Sequence, residues 1–360
     1  MIAENGKKVV YWLGAGASYQ ALPIVGEMPL AFRSQWRWLV NVYPAAEGTE
    51  WLARYRQQMD FYASVAERYG TIDTYARSLF LLKKDEELAD LKLHLAMYFL
   101  LEQAVEKKDY TISAKEGVAY SKPDQIDKRY MTWLAQVLDN DGMMSKRINI
   151  LSWNYDLQIE HAIGLYHGLT NLSELHSKNR FTIYPDSTKP DGLTTSVPDL
   201  IHLNGIAGHA VIDGTSRALY SSLLLGDSEL YIKRLFELYD GYDSQDQWML
   251  RAMQRTFNFA WEESPMALTG IGLAHKCLEL ADVLVIIGYS FPAFNRSIDI
   301  KLMKAFMSPG MHSPHKRIYL QSPSITEEWF GHLFSINNKM VGLKADSTVD
   351  QFYLPPELFS

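Results

Sequence analysis

The chain has 360 residues, a formal net charge of −7, and hydrophobic and charged shares of 47% and 21%, enough to bury a large core. No block of five or more basic residues occurs, so the positive surface that unaided nucleic-acid binding requires is missing. A single cysteine, Cys277, excludes a four-cysteine zinc module and an intrachain disulfide, and points to a reducing cytoplasm.

In chain order, Val9–Leu13 reads as a buried strand that empties into the small-residue turn Gly14-Ala15-Gly16-Ala17-Ser18. Such a turn can bring backbone amides close to a phosphate, or it can serve tight packing alone. The preceding Lys7-Lys8 and apolar run mimic a signal peptide, but the run is too short and Gly14 interrupts it. No apolar run approaches the length needed to cross a bilayer.

Apolar residues spaced by three and four predict helices over Leu30–Val42, Glu50–Tyr69, Glu86–Lys107 and Gln125–Asp139. Pro123 and Gly142 punctuate the last of these. This is too much chain for one crossover, so it reads as a helical insertion, about residues 30–145, over the mouth of a sheet. Within it, Ile72-Asp73-Thr74-Tyr75 opens a short helix that Asp73 or Thr74 could cap.

Further strands are expected at Ile148–Trp153, Leu200–Leu203, Val283–Ile287 and Ile318–Gln321. Helices are expected over Leu157–Gly168, Asp246–Glu263 and Ser297–Met307, with Cys277 a buried thiol in the helix-like stretch Leu273–Leu280. Asn171–Pro198, which holds Pro185, Pro190 and Gly192, reads as a surface excursion. The expected architecture is α/β: a Rossmann-like parallel sheet with a large inserted α-helical region, forming one domain over residues 1–360.

The first four strands each run into a polar or glycine signal: Gly14, Asn154-Tyr155-Asp156, Asn204-Gly205 and Gly288-Tyr289-Ser290. In an open α/β sheet, ligands sit beyond the carboxyl ends of the strands, so these loops are candidates for one site. Asn154 and Asp156 could bind a ribose hydroxyl or a water, or cap the next helix. His202 and Asn204, two apart on a strand, would share a face about 7 Å apart. His202 there is either a hydrogen-bonded core residue or a base. Gly288-Tyr289-Ser290 offers a second glycine loop or a plain strand exit, and Arg296 reads as a surface cation. No metal is expected, because none of the ten histidines, His312 and His315 included, pairs with another at a spacing that brings a third ligand.

Taken together, Leu13–Ser18 with Pro23, Ile72–Tyr75, Asn154–Asp156, His202–Gly205 and Gly288–Phe291 resemble the sirtuin-like superfamily. The resemblance lies with its bacterial sirtuin-like branch more than with the protein deacylases. It implies NAD as substrate, with Gly14, Ala15, Gly16, Ala17 and Ser18 cradling the diphosphate. Asn154 would sit near the nicotinamide ribose, Asp156 would hold the loop, and Gly288, Tyr289 and Ser290 would line the adenosine-ribose side. Asp73 and Asn204 complete the implied binding set, and Asn154 and His202 are the implied catalytic pair.

The reaction so implied is hydrolysis of NAD to nicotinamide and ADP-ribose, by an effector that depletes NAD in phage-infected cells. Control by homo-oligomerisation or by a co-encoded Argonaute-like, ATPase-like or nucleotide-pyrophosphatase-like sensor accompanies that reading. The chain departs from the family twice. It has no four-cysteine zinc module, and Asn204 stands where the family's catalytic histidine precedes glycine. Cleaving a cationic nicotinamide–ribose bond gives an oxocarbenium-like transition state that needs little nucleophilic push, whereas deacylation needs a base. The departures therefore weigh against a deacylase. The rival expectation is a non-catalytic module that binds NAD or ADP-ribose and regulates a partner.

Overall fold

A computed structural model describes residues 6–107, 122, 124–169, 171–172, 174–175, 181–185, 197–212, 215–218, 227–241, 248–308, 316–336 and 341–359. Pro123, Pro190, Gly192, His312 and His315 lie outside the described residues.

The strand β1 (Val9–Leu13) is buried along its whole length, because both of its edges and both of its faces are covered. On one edge it pairs in parallel with β2 (Ile148–Ser152), on the other with β7 (Val283–Ile287). Beyond β2 lie β4 (Leu200–His202) and the edge strand β3 (Ile183–Tyr184); beyond β7 lie β8 (Lys316–Gln321) and β9 (Val341–Asp346). The seven-stranded order is β3-β4-β2-β1-β7-β8-β9, and every pairing in it is parallel. A separate antiparallel hairpin joins β5 (His209–Ile212) to β6 (Thr215–Ala218).

Alternation along β1 divides the interior in two. Val9, Tyr11 and Leu13 face a core shared with helices that follow β1, while Val10 and Trp12 face helices from the C-terminal half. Both faces being covered is what lets a parallel sheet read as near-continuous apolar runs. The chain leaves β1 to one side first and returns to its other side with β7. The gap between the β1 and β7 ends is thus a topological switch point, where such sheets open a ligand crevice.

Between β1 and β2 stand α1 (Met28–Val42), α2 (Glu50–Tyr69), α3 (Ile72–Leu81), α4 (Asp85–Glu102) and α5 (Lys128–Val137). Helices α1 to α4 pack in succession, each on the next. The α4 helix is apolar nearly all round and buries Leu91, Leu95, Met97 and Leu101 at the centre of the group. A buried polar chain fixes its place: Tyr55 Oη donates to Gln35 Oε1 (2.6 Å) and Gln35 Nε2 to Glu102 Oε2 (2.9 Å). Because every partner is satisfied, this network adds orientation without an orphaned polar group.

The second half supplies α6 (Gln158–Tyr166), α7 (Ser228–Asp240), α8 (Trp248–Thr256), α9 (Pro265–Leu280), α10 (Arg296–Met307) and α11 (Glu327–Phe334). The expected stop of one helix at Glu263 falls instead at Thr256, and Phe257–Trp261 runs on as irregular chain. Ile183–Tyr184 pairs as a strand inside the expected excursion. Cys277 is buried in α9, and loss of hydration pushes its thiol up to about 12. No helix among the described residues is long and apolar enough to cross a membrane.

Candidate functional site

A cleft of roughly 1000 Å3, counting its open mouth, lies at the carboxyl ends of β1, β2, β4 and β7. Its walls include Gly14, Ala15, Ser18, Asp73, Asn154, Asp156, Asn204, Gly288, Tyr289 and Ser290. The loops that look unrelated in sequence therefore meet in space. Gly16, Ala17 and His202 are absent from the lining.

The loop after β1 crosses the loop after β7 backbone against backbone. Gly14 N–H donates to Ile287 O (3.0 Å) and Gly16 N–H to Gly288 O (2.9 Å). A Cβ on Gly14 would lie 2.6 Å from Tyr289 Cα, and one on Gly16 would lie 2.8 Å from Gly288 Cα. Gly288 also has a φ of +61°, which a side chain disfavours. These glycines thus serve the close crossing directly. Ala17 N–H turns inward as well, onto Gly14 O (2.9 Å), so the amides of Gly14, Gly16 and Ala17 are committed to the protein. Gly14, Ala15 and Ser18 are the members of the turn that line the cleft, and of these Ala15 and Ser18 have amides not engaged in that crossing.

A buried ion pair braces this turn from behind. Arg129 donates through Nη2 to Gly16 O (2.9 Å), and its guanidinium binds Asp127 at 2.6 Å. Asp127 also accepts from Gln20 N–H (2.9 Å), closing the brace on the far side of the turn. Sequence reasoning missed this pair, since nothing local announces a contact more than a hundred residues away.

Asn154 is held at both ends. Its Nδ2 donates to Gly14 O (3.0 Å), and its carbonyl accepts from His202 Nδ1 (3.1 Å). His202 Nε2 donates in turn to Glu160 Oε1 on α6 (2.8 Å). Both ring nitrogens of His202 thus face oxygens, an arrangement that favours the protonated ring. Burial opposes its charge, but Glu160 outweighs this and raises its pKa above the ordinary histidine value. The expected catalytic histidine thus stands behind the cleft wall, bonded to the main chain of Asn154 and to Glu160.

Strand pairing ends at His202, and Leu203 and Asn204 lie in a turn, so strict alternation stops between them. Asn204 reaches the cleft while His202 stays behind it. Asn204 Nδ2 donates to Trp153 O (3.1 Å), and its Oδ1 is buried without a hydrogen-bond partner among the described residues. Gly205 follows with a φ of +80°, letting Asn258 N–H donate to Asn204 O at 2.8 Å.

Among the described residues two carboxylates line the cleft, and the lining contains no lysine, arginine or histidine. Asp156 accepts from Gln158 N–H (3.1 Å), satisfying one of the free amides at the start of α6. Desolvation pushes its carboxyl up to about 6. Asp73 stands at the second position of α3, where Thr71 and not Asp73 is the cap: Thr71 Oγ1 accepts from Thr74 N–H (3.1 Å). Desolvation pushes the Asp73 carboxyl up to about 6 as well.

Tyr289 presents its backbone to the cleft and buries its ring. Its hydroxyl donates to Asp299 (3.0 Å) and accepts from Asn295 Nδ2 (2.9 Å). Burial pushes the Asp299 carboxyl up to about 8. Ser290 is exposed at the rim. Arg296, expected as a surface cation, instead donates to Phe291 O (3.0 Å) and pins the same loop.

The remaining wall is largely apolar, and several of its aromatic rings come from segments with no motif. Phe99 projects from α4, and Phe259 and Trp261 come from the irregular chain after α8. Trp261 stacks on Phe259 with centroids 4.8 Å apart and planes 3° from parallel. Tyr155 stacks on Phe257 at 3.8 Å and donates to Asn258 O at 2.9 Å, which fixes this segment over the β2 end. The closely spaced aromatics of 257–261 were the available signal. Among the described residues no cluster of three or more His, Cys, Asp or Glu could hold a metal.

No family model matches the chain, and no curated protein does either.

Proposed function

We propose that the chain hydrolyses NAD at this cleft, giving nicotinamide and ADP-ribose. The observation that carries the reading is the cleft's make-up: strand-end loops with Asn154, Asn204 and Ser290, two carboxylates, aromatic walls and no cationic side chain. A positively charged nicotinamide ring suits carboxylates and aromatic faces. Its departure as a neutral base leaves a ribosyl cation, which nearby negative charge stabilises. The free Asn204 Oδ1 is placed for a hydroxyl or carboxamide donor, and leaving it unpaired is unfavourable without one.

In this reading Asn154 orients the ribose or the attacking water, and His202 holds Asn154. The diphosphate would be met by Ala15 and Ser18, because the amides of Gly14, Gly16 and Ala17 are already bonded. Unregulated NAD hydrolysis would exhaust the host cell. We therefore read the enzyme as a gated cytoplasmic effector, controlled by self-association or by a co-encoded sensor and suited to defence against phage.

A second reading has its own support. The absence of histidine from the cleft fits a module that binds NAD or ADP-ribose without turnover. Incubating pure protein with NAD, alone and with the products of neighbouring genes, separates the two. Nicotinamide release that Asn154→Ala abolishes supports the hydrolase; tight binding without release under every condition supports the module.

A further inference from the structure

The hydrolase reading leaves one chemical role unfilled. His202 lies behind the wall, bonded to Asn154 O and Glu160, so the group that receives the proton from water is another lining residue. Among the described residues the lining holds no histidine, cysteine or lysine, which leaves Asp73 and Asp156 there as the side chains able to take a proton near neutral pH.

The two carboxylates are not equivalent. Asp156 is committed to its own helix through the Gln158 amide. Asp73 accepts no hydrogen bond among the described residues, although it occupies a helix start where an aspartate ordinarily caps. Thr71 does that work, so α3 carries Asp73 into the cleft with both oxygens uncommitted. Asp73 is half-buried in the cleft wall, where a carboxylate's field on a nearby cation is less screened than in open water.

We propose, on the hydrolase reading above, that Asp73 is the catalytic carboxylate that accepts the proton of the attacking water. The C1′–N1 bond of the nicotinamide riboside breaks, and its electron pair goes to the ring nitrogen, leaving neutral nicotinamide. The water oxygen forms the new bond to C1′. One water proton passes to Asp73, and the other stays on the new hydroxyl of ADP-ribose. Asp73 then returns its proton to solvent. While ionised, the same carboxylate opposes the positive charge that develops on the ribose. Asp73 shares its surroundings with the Asp156 carboxylate and with the Tyr155 phenol, whose own ionisation Asp73 disfavours. Further along α3, the Arg77 guanidinium is taken up over the Phe80 and Trp261 rings.

The test compares wild type, Asp73→Asn and Asp73→Glu, with nicotinamide release and equilibrium NAD binding measured from pH 5 to 8. Asp73→Asn should bind NAD within a few-fold of wild type and release nicotinamide on the order of 10²–10⁴ times more slowly. Wild-type release should rise as pH passes about 6 and then level, as the Asp73 carboxyl ionises. That rise should be missing from Asp73→Asn and partly regained in Asp73→Glu. Should release await a partner, NAD binding alone should strengthen through the same pH range in wild type and not in Asp73→Asn. Turnover of Asp73→Asn within threefold of wild type, or an unchanged pH profile, overturns the role of Asp73 and leaves the hydrolase standing. Wild-type protein that neither binds NAD nor releases nicotinamide overturns both.

Discussion

His202 and Asn154 are joined by a 3.1 Å hydrogen bond from a ring nitrogen to a backbone carbonyl, with Glu160 2.8 Å from the other ring nitrogen. The histidine most open to reading as a base is thus the centre of a buried relay, with Glu160 raising its pKa. It holds the cleft's asparagine by its main chain.

Breaking that relay should damage the fold before it damages chemistry. His202→Ala leaves Glu160 buried without its cation, a loss of about 3–5 kcal/mol. The sign of the pH effect follows from the raised histidine pKa. Its stabilisation is complete below the unfolded value of 6.5 and is lost as pH rises through the higher folded value. Denaturant titrations at several pH values should show this alkaline loss in wild type and not in His202→Gln.

Asp73 works in the opposite direction. Its folded pKa of about 6 exceeds the ordinary 3.8, so stability falls as pH rises through that interval. Asp73→Asn should remove that fall and leave the protein more stable at pH 7.5 by on the order of 1–2 kcal/mol. Asp156, raised by a similar amount, should preserve part of the decline in the variant. Urea unfolding at pH 4.5 and 7.5 measures the difference. Greater stability joined to lost turnover is the mark of a functional residue.

The crossing of the β1 and β7 loops makes a sharp prediction about glycine. Gly288→Ala combines a φ of +61° with a Cβ driven into the backbone of Gly16 and Ala17. It should cost about 2 kcal/mol or more and weaken NAD binding, because the two loops must separate. Gly26→Ala and Gly272→Ala meet nothing within 4 Å and should leave both properties near wild type. Thermal melts with and without NAD provide the comparison.

Trp261 supplies an aromatic wall without touching the proposed proton transfer. Trp261→Ala should weaken NAD binding about fivefold, the worth of roughly 1 kcal/mol of aromatic contact. The effect should appear in KM, with kcat changed little.

The parts of this molecule that were legible from sequence are those with strong local signals. The boundaries of β1 and β7 match the apolar runs, and α2 starts and stops where its apolar spacing places it. Edge strands were harder. β9 alternates weakly and contains Gly342, while β3 has two residues and depends on β4 for its definition. At the site, the strand ends marked the cleft correctly, because the C-terminal edge of a parallel sheet fixes where loops converge. The surroundings of His202 and Asp73 depend on Glu160 and Thr71, and no spacing rule announces such partners. The face of His202 was misjudged because alternation applies only while strand pairing lasts, and pairing ends at that residue.

The most direct test of the central claim is hydrolysis in water enriched in heavy oxygen, with pure protein alone and with its genomic neighbours. The account predicts equal amounts of nicotinamide and ADP-ribose, one heavy oxygen at the ribose carbon that held nicotinamide, and neither product from Asn154→Ala. Intact NAD under every condition, while the protein still binds it, would contradict the account and leave a binding module.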